Sequence, residues 1–63
     1  MEKEYSIDDY LEAKTSLLSL IKKSEKALLK LAKGTGPYTY LQHRIETFYL
    51  CMSLLEEKIK KIQ

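Results

Sequence analysis

Apolar residues recur along the first half of the chain at Ile7, Tyr10, Leu17, Ile21, Leu28 and Leu31, a spacing that keeps returning to one face of an α-helix. The second half is more regular. Leu41, Ile45, Phe48, Met52, Leu55, Ile59 and Ile62 alternate steps of four and three, the spacing of a heptad seam. The glycines and the proline all fall between these halves, in Gly34-Thr35-Gly36-Pro37. The pattern predicts an all-α fold. Helices over about 7–33 and 38–62 form an antiparallel hairpin joined by a turn at 34–37, one domain spanning 1–63.

End signals support these bounds. Ser6 is placed to cap the first helix, and Asp8 and Asp9 follow where the helix dipole favours negative charge. Lys30 and Lys33 suit its last turn, and Gly34 suits the C′ position. The second helix has two possible starts. Either Pro37 is its first residue, capped by Thr35 or Gly36, or Thr39 caps it with Gln42 completing a capping box. Lys58, Lys60 and Lys61 close it with the charge its dipole favours.

Three charges intrude on the apolar stripes: Lys14, Glu25 and Arg44. Folding the chain about residue 35 places Glu25 near Arg44 and Lys14 near Glu56 or Glu57, so one register offers partners to all three.

The apolar surface exceeds what one hairpin needs. On the first helix it spreads over roughly 200°, against about 100° for an ordinary surface helix. Leu18 and Leu29 lie on one flank, and Leu20, Ala27 and Leu31 on the other. The second helix adds Leu50 and Leu54 nearly opposite its seam, and the stretch Thr47 to Leu55 is uncharged on every side. A second copy would bury this excess as a four-helix bundle, and two-fold dimers are the commonest oligomers. The interface expected from sequence is Leu18, Leu20, Leu29, Tyr49, Leu50 and Leu54, with the homodimer favoured over a complex with another protein.

Size and composition sharpen that expectation. A chain of 63 residues gains little from its own core. Its single cysteine excludes an internal disulfide, and one cysteine with one histidine cannot make a structural zinc site. The acidic start, with no apolar run after it, predicts no secretory signal, and no uncharged run approaches the ~20 residues of a membrane span. A lone cysteine without export then points to a reducing cytoplasm. Ten lysines to one arginine point to an AT-rich, bacterial or phage-like genome.

Charge is uneven along the chain. From Lys22 to Arg44 it is +5, with Lys22, Lys23, Lys26, Lys30 and Lys33 expected on one face near the turn, and the remainder is −3. A basic face can bind nucleic acid through its phosphates, but with arginine nearly absent a solvated helix face is the favoured reading. His43 and Glu46 stand one turn apart, but the other ligands of a bundle di-iron site are missing, so no metal or cofactor is expected. Cys51 reads as a small buried hydrophobe. The tyrosines at the ends, Tyr5, Tyr10, Tyr38 and Tyr40, read as half-wet packing residues or partner contacts.

The run Lys33 to Ile45, with its glycine turn, threonine cap, Arg44-Ile45 pair and amphipathic start, resembles the turn region of small uncharacterised helical-hairpin proteins of low-GC Gram-positive bacteria. The likeness covers about half the chain and implies no activity. The functional expectation is a small non-enzymatic interaction or regulatory protein acting as a homodimer. The alternative is a nucleic-acid accessory protein using the lysine face.

Overall fold

The computed structural model describes residues 4–62. The reading of the chain's start as lacking a secretory signal falls partly on Met1, Glu2 and Lys3, outside the described residues. Two helices, α1 (Ile7–Leu29) and α2 (Gly36–Ile62), pack against each other as a hairpin 42 Å long, and no strand occurs among the described residues.

Ser6 caps α1 as its sequence predicts. Its hydroxyl accepts from the Asp9 backbone N–H at 3.2 Å, and its own N–H donates to Asp9 Oδ2 at 2.9 Å, closing a capping box.

The far end of α1 differs from the sequence expectation. The helix stops at Leu29 rather than near Lys33, with Lys30 as its cap. The N–H groups of Lys30 and Leu31 donate three residues back, to Ala27 and Leu28, so the last turn tightens. The reason lies in α2, which starts at Gly36. Thr35 caps it, with Oγ1 accepting from the Tyr38 N–H at 3.4 Å and its carbonyl from the Thr39 N–H at 3.1 Å. Thr39 is therefore inside the helix, and the Thr39/Gln42 start is not used. Since α2 takes Gly36 and Pro37, the residues that reverse the chain come from the end of α1, and the connection is 30–35 rather than 34–37. Gly34 has φ +85° within the Ala32–Thr35 turn, closed by Thr35 N–H donating to the Ala32 carbonyl at 3.3 Å. A positive φ at the third residue is the type II pattern, so Gly34 serves the turn and not the helix cap.

The seam is a heptad repeat on both helices. On the α1 side, Ile7, Lys14, Ile21 and Leu28 take position a; Tyr10, Leu17, Ser24 and Leu31 take position d. On α2, Tyr38, Ile45, Met52 and Ile59 face Leu41, Phe48, Leu55 and Ile62 in the same way. All of these are buried or half-buried except Ile62. The most buried of the described residues are Ile21, Ile45, Met52 and Ile59, and none of them is sealed completely from water. Lys14 and Ser24 thus occupy seam positions, which weakens the α1 side of the core.

Candidate functional site

Lys14 Nζ lies 3.4 Å from Glu56 Oε2, one of the two partners expected for it. Glu25 and Arg44 do not pair. Glu25 accepts instead from the Tyr49 hydroxyl at 2.9 Å. The Arg44 guanidinium lies 5.8 Å from both the Tyr40 and Phe48 ring centres, one turn away on either side. The cause is side-chain direction and helix face. Helical side chains lean towards their own N-terminus. In an antiparallel pair that carries Glu25 away from the turn and Tyr49 towards it, so the two meet. Arg44 stands at position g, across the seam from Glu25 at position e, and finds its neighbours' rings.

These links also define the sides of the hairpin. Glu25 and Tyr49 both stand at position e, so the e positions of the two helices share one flank and the g positions share the other. Leu11, Leu18 and Tyr49 lie on the e flank, with Leu29 at its outer edge. Leu20, Ala13 and Ala27 lie on the g flank with Cys51, and Leu54 stands beside them. Leu50 is on the back of α2 next to Leu54. The six residues expected as an interface are all exposed, Leu29 at 87% and Leu50 at 62% most of all, but they do not form one patch. They divide between two opposite flanks and the back of α2. Leu11 is an exposed apolar residue that the sequence reading passed over, and Tyr40, expected as a half-wet or contact residue, is exposed as well. The signal for Leu11 was present, seven residues before Leu18 on the same face.

Cys51 is exposed, not buried as its chemistry suggested. The seam already holds Met52, and the neighbouring residue of a helix points about 100° away.

Lys22, Lys23 and Lys26 lie on the back of α1, Lys30 is the helix cap, and Lys33 belongs to the connecting turn. All five are exposed. A shallow depression runs beside them between Ser19 and Leu29. A second lies at the free end between Tyr5, Tyr10, Lys58 and Ile62, where the two tyrosine rings meet edge to face at 6.1 Å. Among the described residues no three His, Cys, Asp or Glu side chains converge on a metal-sized site, and no helix is long and apolar enough to cross a membrane.

The chain exposes 5370 Å². A compact monomer of 7.4 kDa exposes about 4,200 Å². The chain therefore exposes roughly a quarter more surface than a compact monomer of its mass. No protein-family profile, curated protein or solved structure matches this chain.

Proposed function

We propose that the protein is a non-enzymatic protein–protein interaction module of a reducing bacterial cytoplasm, working as a homodimer in which two hairpins form a four-helix bundle. The observation that carries this reading is the exposure of Leu18, Leu20, Leu50 and Leu54 on a chain with far more surface than a compact monomer of its mass. A seam with four buried residues stabilises a lone hairpin weakly, and a second copy supplies the missing burial. Sedimentation equilibrium at micromolar concentration tests it. The expected result is twice the chain mass; a folded species of 7.4 kDa overturns it.

A second reading rests on the exposed lysines Lys22, Lys23, Lys26, Lys30 and Lys33, which suit the phosphates of a nucleic acid. Arg44 is already stacked on its neighbours' rings. Binding would therefore be through phosphates, without preference for sequence, and would weaken steeply with salt. A gel shift that is lost on modest addition of salt supports this reading, and no shift at low salt removes it.

A further inference from the structure

We propose that the second copy docks on the g flank with its turn at the opposite end, so that α1 crosses α1 and α2 crosses α2, each pair antiparallel. This rests on the homodimer reading above.

The two flanks differ in chemistry. The e flank is spanned by polar links, Lys14 to Glu56 and Glu25 to Tyr49. Among the described residues no such link crosses the g flank. Its g positions on α1 are uncharged, with Leu20 between Ala13 and Ala27 and Lys23 at the outer edge; Cys51 and Leu54 face it from α2, and Arg44 and Lys58 bound it at the two ends. Alanines at both ends allow close approach of another helix.

Charge sets the direction. On α1, Asp8, Asp9 and Glu12 lie at the N-terminal end, and Lys22, Lys23, Lys26 and Lys30 at the C-terminal end. Laying α1 antiparallel on its copy brings acid to lysine at both ends. The arrangement with both turns together sets two segments of +5 side by side. On α2 the same axis brings Arg44 level with Lys58 and Lys60 but also Glu46 level with Lys58, so that helix discriminates little and the ends of α1 decide.

Register agrees between the helices. A two-fold axis at Leu20 places that leucine on its copy, Ala13 on Ala27 and Asp9 beside Lys30. The contacts of Lys14 with Glu56 and of Glu25 with Tyr49 put Leu20 level with the stretch from Leu50 to Leu54. An axis at that level passes Cys51, with Leu54 beside it at the edge of the face. One axis thus satisfies both helices. The face is 42 Å long and two helix diameters wide, roughly 800 Å², the share one partner contributes to a standard interface.

The full chain provides its own reporter. Cys51 lies within one residue of the axis and faces its copy across helices about 8–10 Å apart. Sedimentation comes first, and a monomer removes the dimer and this inference together. If the chain is a dimer, a short bis-maleimide is expected to couple Cys51 to Cys51 in most molecules; a dimer left uncoupled overturns the g flank. A nitroxide on Lys33→Cys in a Cys51→Ser chain reads direction by pulsed dipolar spectroscopy. The expected separation is about 35 Å, from a half-length of roughly 12 residues at 1.5 Å each. A separation below about 20 Å, two helix diameters, puts the turns together and overturns the arrangement.

Discussion

The Tyr49 hydroxyl donates to Glu25 across the helix seam at 2.9 Å, the contact that Arg44 was expected to make. The carboxylate raises the Tyr49 pKa above its ordinary value, first by accepting this hydrogen bond, then with help from desolvation and from its negative charge. The phenol must keep its proton to donate. The contribution to stability is therefore complete below about pH 10, where an unfolded tyrosine is protonated, and is lost as pH rises through the higher folded value. Phenolate absorbance during alkaline titration should show one late component. Tyr49→Phe should remove it and Glu25→Gln should move it down; a late component that survives both changes would rule out this contact as its source.

Lys14 sits at a seam position where its neighbours are apolar, and its ion pair with Glu56 is half-open to water. Such pairs contribute about 1 kcal/mol or less. A leucine there would bury apolar surface worth roughly 1.5–3 kcal/mol. Lys14→Leu is expected to stabilise the fold by about 1 kcal/mol, read as a higher urea midpoint at fixed protein concentration. A lower midpoint would mean that the ion pair matters more than the apolar packing it displaces.

The two glycines should respond differently. Neither has an atom within 4 Å of an added Cβ beyond its chain neighbours. Gly34 holds φ +85°, and Gly34→Ala should cost about 1 kcal/mol. Gly36 has no positive φ and begins α2, but it precedes Pro37, whose ring disfavours helical backbone at a residue with a Cβ, so Gly36→Ala should change stability by less than about 0.5 kcal/mol. Thermal unfolding of the two variants gives the comparison, and equal shifts would exclude the backbone argument.

Thr35 ties the turn to α2 twice. Its hydroxyl donates to the Ala32 carbonyl at 2.6 Å and accepts from the Tyr38 N–H. Thr35→Ala should cost about 1–2 kcal/mol, while Thr35→Ser should keep most of it. Helical circular dichroism during denaturation checks both, and serine behaving like alanine would mean that the methyl group, not the hydroxyl, is responsible.

Leu54 and Leu11 stand on opposite flanks. Leu54→Glu should weaken dimerisation at least tenfold, since burying an apolar side chain stabilises by roughly 1.5–3 kcal/mol. Leu11→Glu should leave it nearly unchanged. Sedimentation of both variants decides, and the reverse order would move the interface to the e flank.

The helices, the Ser6 cap and the seam positions of α2 were legible because each depends on neighbours within one or two turns. Steps of three and four return to one helical face whatever lies opposite. The Lys14–Glu56 contact was legible from the fold-back about residue 35. The end of α1 was not, because it depends on where α2 begins, and two capping arrangements were equally good locally. Nor was the fate of Glu25 and Arg44 legible from their level alone, since residues that are level in an antiparallel pair can stand on opposite sides of the seam. The excess of apolar residues was visible in the sequence. Only the packed pair showed that Leu18 and Tyr49 lie on one flank and Leu20 and Leu54 on the other. Periodicity specifies an angle about one helix axis. Which side of the molecule that angle faces is set by the direction and rotation of the second helix.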